Sequence, residues 1–156
     1  MKIKLITIAK EDDKNVNALF QMYAKRIVHY TSFEYVNIKP DKATSATEQK
    51  KKDAALLLKK INEGDAVILL DEKGKELNSV QLSEFIVSKM NAATKSLVFV
   101  IGGAYGFDNS SYERSNTMIS LSKLTLPHQL AKVLLAEQLY RAFTIIRNEK
   151  YHHGDT

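Results

Sequence analysis

Cysteine is absent from this 156-residue chain. That excludes disulfides, thiolate metal sites and a cysteine nucleophile, and it makes the cytoplasm the expected compartment. Long apolar runs are missing too. Ala66–Leu70 and Leu97–Ile101, about five residues each, are far short of the roughly 20 that a membrane span needs. The opening MKIKLITIAKEDDK has a brief apolar run, then charges and no small-residue cleavage site, so neither a secretory leader nor a membrane partner is expected. No glycine-rich phosphate loop follows the first apolar segment and no GxGxxG spacing occurs, which argues against a dinucleotide or flavodoxin-like nucleotide site. What is present is ordinary globular material, 44% hydrophobic and 26% charged. A chain of this length is expected to form one domain over residues 1–156, since two would each have a thin core. Its net charge of +5 favours polyanionic partners, because Lys and Arg release counterions when they neutralise phosphates.

Hydrophobic periodicity predicts alternating strands and helices. Lys2–Thr7 alternates as a strand, and Asp12–Tyr30 reads as a helix with acidic residues first and Lys25, Arg26 and His29 near its end. Phe33–Ile38 alternates again and is closed by Pro40. Glu48–Asn62 is helical up to Gly64, and Ala66–Leu70 reads as a strand buried on both faces, followed by a turn at Asp71–Lys75. Asn78 or Ser79 could cap a helix running to about Met90. Leu97–Ile101 is a second buried strand, broken by Gly102–Gly106. A short helix over Ser110–Asn116, a brief strand at Met118–Leu121 and a long helix from Pro127 to Asn148 complete the chain. The order predicts an α/β protein with a mostly parallel sheet between helices. Ligands bind such sheets beyond the carboxyl ends of the strands, which directs attention to Leu70–Lys75, Gly102–Phe107 and Leu121–Pro127.

Five segments could carry chemistry, and each also has a plain structural reading. Gly102-Gly103-Ala104-Tyr105-Gly106 lets backbone approach a ligand closely, or is simply a turn. Ser120–His128 (SLSKLTLPH) is apolar outside a regular element, so its N–H and C=O groups need partners, such as a purine edge; otherwise it is a strand and a helix start. The last helix carries apolar residues on more than one stripe, including Leu130, Val133, Leu134, Leu135, Leu139 and Phe143, as expected if a second subunit covers one side. Within it, Glu137 and Arg141 are spaced to pair on the surface, or Arg141 is functional. Tyr151-His152-His153 is an idle terminus, or an arm able to hydrogen-bond and exchange protons. The run Lys50-Lys51-Lys52 is a solvated face or a phosphate contact.

In order, the chain reads Leu-Asp-x-x-Gly-Lys, Ile-Gly-Gly-x-x-Gly, Ser-Leu-Ser-x-Leu-Thr-Leu-Pro-His, Ala-Glu-Gln-Leu-Tyr-Arg-Ala and a terminal Tyr-His. It resembles the ribosomal large-subunit pseudouridine N3-methyltransferase family, RlmH, within the SPOUT superfamily, over essentially the whole chain and most densely from Leu69 to His152. The resemblance implies an α/β fold with a C-terminal trefoil knot, a feature that sequence patterns alone make very improbable. It further implies a homodimer, S-adenosyl-L-methionine as cofactor with no metal, and methylation at N3 of a pseudouridine in the helix 69 loop of 23S ribosomal RNA on the assembled 70S ribosome.

Carried over by position, the cofactor contacts are Leu70, Gly102, Gly103, Ser122, Lys123, Leu124, Thr125, Leu126 and Pro127, with the glycines leaving room for the ribose and methionine parts. Tyr151 and His152 would orient the base, His152 could accept its proton, and Arg141 would hold a phosphate or stabilise developing negative charge. The family tail usually reads Tyr-His followed by Arg or Lys; here His153 stands third, followed by Gly-Asp-Thr. Two other readings share the fold: a non-catalytic RNA- or ribosome-binding protein, and a methyltransferase acting on transfer RNA. A charge at Leu135 or Leu139 is expected to break the dimer.

Overall fold

The computed structural model describes residues 1–10 and 13–154. The elements run β1 (Lys2–Ile8), α1 (Lys14–Ile27), β2 (Ser32–Ile38), α2 (Ala46–Leu58), β3 (Ala66–Glu76), α3 (Ser79–Asn91), β4 (Ser96–Ile101), α4 (Asn109–Arg114), β5 (Thr117–Ser120) and α5 (His128–Ile146). The strands form one sheet in the order β2-β1-β4-β3-β5, and every pairing is parallel. Parallel neighbours need crossover connections, so helices cover both faces of the sheet.

The apolar run in β4 follows from this arrangement. Leu97, Phe99 and Ile101 pack on one face with Phe20 and Ile27 of α1, Leu82 and Ile86 of α3, and Leu135 and Leu139 of α5. Val98 and Val100 point the other way, towards Leu57 of α2 and Phe107. Both faces are dry, so alternation of polar and apolar residues disappears.

Local chemistry sets the helix ends. Asp13 caps α1, its carboxylate accepting from the N–H groups of Asn15 at 2.8 Å and Val16 at 3.4 Å. The expected start at Asp12 lies outside the described residues, and the helix stops before Tyr30. α2 begins earlier than expected because Ser45 caps it, accepting from Glu48 N–H at 3.1 Å. It ends at Leu58, where Lys60 N–H and Ile61 N–H bond to Leu57 and Leu58 and tighten the last turn. Asn78, not Ser79, caps α3, and Gln81 completes the reciprocal capping box. Among the described residues no helix is long and apolar enough to cross a membrane.

Two features depart from the sequence reading. The expected turn at Asp71–Lys75 is a bulge inside a longer strand: Ile119 pairs with both Leu70 and Lys75, and the residues between them loop out. Gly74 makes this possible, since a Cβ there would lie 2.6 Å from the backbone N and C of Ile119. Gly74→Ala should therefore destabilise the protein by about 2–3 kcal/mol, because backbone cannot yield as a side chain does. Urea denaturation measures this, and an unchanged midpoint would show that β3 and β5 separate freely at this point.

The second departure is the orientation of α5. Leu135 and Leu139 are 1% and 0% exposed and belong to the protomer's own core. A charge at either would unfold the subunit itself instead of merely dissociating a dimer, which corrects the expectation for those positions. The outward apolar residues of α5 are Leu130, 53% exposed, and the half-buried Leu134, whereas Val133 packs against the core. Lys132 is fully buried on the same helix, its ammonium 4.7 Å and 4.8 Å from the ring centroids of Phe20 and Tyr35.

Candidate functional site

The carboxyl ends of β3, β4 and β5 open onto one hollow of about 820 Å³, a size typical of small-molecule sites. It lies where the topology of an open parallel sheet places ligands. Leu70, Gly102 and Gly103 line it, as do Ser122, Leu124, Thr125, Leu126 and Pro127 of the loop after β5. Lys123 does not; its ammonium lies 3.5 Å from Glu76 and its side chain is 73% exposed. The loop is shaped by its serines: Ser120 Oγ donates to Ser122 C=O at 3.0 Å, and Leu124 N–H donates to Ser122 Oγ at 2.9 Å. Among the described residues the N–H groups of Thr125 and Leu126 find no protein acceptor, so they are open to a ligand or to water.

The glycine pair has a physical role different from the expected one. A Cβ at Gly102 would meet the Phe107 ring at 3.0 Å, and one at Gly103 would collide with Asp53 Oδ2. The missing side chains make room for protein, while the backbone of both residues still walls the hollow. Gly106 takes φ +80, and its N–H donates to Gly103 C=O at 3.1 Å to close the turn. Opposite, Tyr112 donates to Asp71 Oδ2 at 2.5 Å, which ties α4 to the bulge of β3. Burial, then the Asp71 carboxylate, pushes this phenol up to about 12.

Arg141, Tyr151 and His152 form a second cluster, and Glu137 organises it. Glu137 Oε1 accepts from Arg141 Nε at 3.0 Å, Arg141 Nη2 at 2.5 Å and the Tyr151 hydroxyl at 3.0 Å. Arg141 Nη1 lies 3.3 Å from His152 Nδ1. A guanidinium only donates, so this contact requires the His152 tautomer with its proton on Nε2. The Arg141 guanidinium also stacks on the Tyr151 ring at 4.6 Å, and Tyr140 meets that ring edge-on at 4.6 Å. Burial, then Glu137, pushes the Tyr151 phenol up to about 12, and Glu137 raises Arg141 further. Tyr23 and Arg26 of α1 extend the cluster, with Arg26 5.6 Å and 5.3 Å from the rings of Tyr23 and Tyr140.

Sequence reading left Glu137 and Arg141 either as a surface pair or with Arg141 functional; they do pair, but their side chains are only 15% and 24% exposed. It named Lys50 only within a basic run and Asp71 only within the Leu70–Lys75 stretch, both of which line the hollow, and it passed over Tyr23 entirely. Their only sequence signal was polarity near a glycine turn or an aromatic on a helix, which many surface residues share.

The two clusters are not together within one protomer. His128, at the start of α5, lines the hollow, and Arg141 lies thirteen residues further on, about 20 Å along the axis at ~1.5 Å per residue. Neither Arg141, Tyr151 nor His152 lines the hollow.

The all-parallel sheet with a loop-walled hollow at the ends of its last three strands is of the SPOUT methyltransferase type, as its relatives establish. The family described as predicted SPOUT methyltransferase matches residues 1–152. Two solved structures share the fold at low identity. One is a Haemophilus influenzae protein described as a probable methylase family member, at TM-score 0.57 and 13% identity, covering 99% of this chain and 71% of that one. The other is a Legionella pneumophila protein assigned as a methyltransferase and solved with bound SAM, at TM-score 0.52 and 9% identity, covering 91% and 66%.

Within that class, the chain belongs to the ribosomal RNA large subunit methyltransferase H family. Relatives of that name from Christiangramia forsetii and Flavobacterium psychrophilum are 46% and 47% identical, each over 98% of this chain and 99% of the relative.

Proposed function

We propose that this chain is a cytoplasmic, S-adenosyl-L-methionine-dependent methyltransferase that modifies N3 of a pseudouridine in the helix 69 loop of 23S ribosomal RNA, on the assembled 70S ribosome. The observation that carries this reading is the hollow at the ends of β3, β4 and β5, in a chain whose whole length matches relatives named for large-subunit ribosomal RNA methylation. The whole chain, 1–156, acts as one domain whose last loops form the trefoil knot.

The residues present fit the cofactor. The free N–H groups of Thr125 and Leu126 suit the acceptor edge of an adenine, and Leu70, Leu124 and Leu126 give it apolar walls. Leu70, Gly102, Gly103 and Ser122–Pro127 would hold it, Lys123 through backbone only. When bound, the cofactor supplies an electrophilic methyl group, and no metal is required.

Everything else falls to the protein. Positioning supplies much of the rate of an in-line displacement, and the hollow fixes one reactant. Arg141, held by Glu137, places a fixed positive charge where negative charge develops on the base as its N3 proton passes to solvent water. Tyr151, whose hydroxyl proton goes to Glu137, orients the base through its oxygen lone pairs, and the Nε2–H of His152 serves as a hydrogen-bond donor. This replaces proton acceptance by His152, because its Nδ1 already receives Arg141.

We propose further that the active site is shared across a homodimer, one protomer supplying the cofactor hollow and the other its Arg141, Tyr151 and His152. Support comes from the ~20 Å separation within a protomer and from apolar side chains left exposed on α1 and α5: Leu19, Met22 and Leu130.

The test is methyl transfer from labelled cofactor by the purified protein to 70S ribosomes, protein-free 23S RNA and transfer RNA in parallel. Label at a pseudouridine N3, strongest on ribosomes, is the expected result. Preference for transfer RNA would overturn the substrate, and ribosome binding without cofactor binding would overturn the enzymatic reading.

A further inference from the structure

Asp53, on α2, is a buried acid that the mechanism above does not use. It is 3% exposed, and its Oδ1 accepts from Gln49 Nε2 at 2.8 Å. Its Oδ2 faces Gly103 on the side where a Cβ would stand. Among the described residues it forms no ion pair with any lysine or arginine. Burial pushes its carboxyl up, and the nearby Asp41 adds to this against the Gln49 bond. A buried carboxylate without a countercharge is costly unless a partner completes it.

One turn earlier on the same helix, Lys50 lines the hollow and is half-buried, also without an ion pair among the described residues. Residues three apart on a helix share a face. α2 therefore sets a cation, Lys50, in the lining near the glycine turn and an anion, Asp53, just behind Gly103; Asp71, Glu72 and Lys73 of the β3 bulge also line the hollow, whereas the stretch from Ser122 to Pro127 turns no charged side chain into it. An elongated ligand with a neutral heteroaromatic at one end and a zwitterion at the other matches this polarity.

Resting on the cofactor reading above, we infer that Asp53 and Lys50 select the α-amino-acid end of the cofactor, Asp53 attracting its ammonium across Gly103 and Lys50 receiving its carboxylate. Gly103 is then a thin wall: any side chain there would displace the carboxylate that supplies the charge. Asp53 acts through that wall and is a positioning residue rather than a catalytic one.

The test compares S-adenosylmethionine, S-adenosylhomocysteine and methylthioadenosine, which lacks the amino-acid end, by calorimetric titration of wild type, Asp53→Asn and Lys50→Ala. Each variant should lose about tenfold of the preference for S-adenosylhomocysteine over methylthioadenosine, with affinity for methylthioadenosine unchanged. S-adenosylmethionine and S-adenosylhomocysteine should weaken by the same factor, since both carry the zwitterion.

Equal weakening of all three ligands would show a merely structural role and overturn the inference. So would a loss confined to S-adenosylmethionine, which would place the charge at the sulfonium. If wild type binds none of the three, the cofactor reading itself falls, and this inference with it. Asp53→Asn should melt no lower than wild type without ligand, because it removes a buried charge. Should it fail to fold, Asp53→Ser and the Lys50→Ala arm decide the question by the same ratios.

Discussion

A chain ending at Lys150 should bind S-adenosylhomocysteine within about twofold of wild type yet transfer methyl groups at least about 100-fold more slowly, the loss expected when a hydrogen-bond donor to a reacting group is removed. The reason is placement. Tyr151 and His152 belong to the Glu137–Arg141 cluster, which contributes nothing to the lining of the hollow. The companion variant is Leu126→Arg, which should fill the hollow and abolish cofactor binding while leaving the tail intact.

Neither chain is active alone, but co-expression should restore about a quarter of wild-type activity. Random pairing makes half of the dimers mixed, and each mixed dimer joins one intact hollow to one intact tail. A site contained within a single protomer predicts no recovery at all, because every protomer then lacks one half. Absence of recovery in dimers shown to be mixed would therefore sink the shared site.

The second large effect is expected at Arg141. Arg141→Ala should lower the rate by about 10²–10³-fold with little change in cofactor affinity, the range found when a preorganised charge is taken from a developing anion. Arg141→Lys should recover only a fraction of this. The Nε and Nη2 groups of Arg141 both reach Glu137 Oε1 while Nη1 reaches His152, and a single ammonium cannot span that fork. Full recovery by lysine would mean that charge alone matters and the fork does not.

The pH profile gives an independent check on the same cluster. Tyr151, with its phenol pushed up to about 12, stays a donor throughout the neutral and mildly alkaline range. Tyr151→Phe should thus lower the rate without altering the shape of the profile between about pH 6 and pH 10. A limb that vanished in the variant would identify Tyr151 as a titrating group instead.

Much of this molecule is set within short windows of sequence. The unbroken apolar runs in β3 and β4 require burial on two faces, hence a parallel sheet between helices, and Ser45, Asn78 and Asp108 fix helix starts by bonds to N–H groups a few residues on. The sheet rule then places the β3 bulge and the loops after β4 and β5 at one edge, so the segments that wall the hollow could be named before any coordinates. Position along the chain decides these features because their causes lie within one turn or one strand.

Other features depend on partners far away in sequence. Asp53 meets Gly103, Gly74 meets Ile119, Tyr23 meets Tyr140, and Tyr30 donates to Glu149, each across tens of residues. The strand order β2-β1-β4-β3-β5 decides which of them touch, and no local pattern encodes it. Leu135 and Leu130 look alike in the sequence, yet one is core and the other surface, because the docking of α5 on α1 and α3 selects which stripe faces inward. The distance between hollow and tail belongs to the same category: a straight helix holds its two ends apart, and only the tertiary structure shows that one subunit does not bring them together.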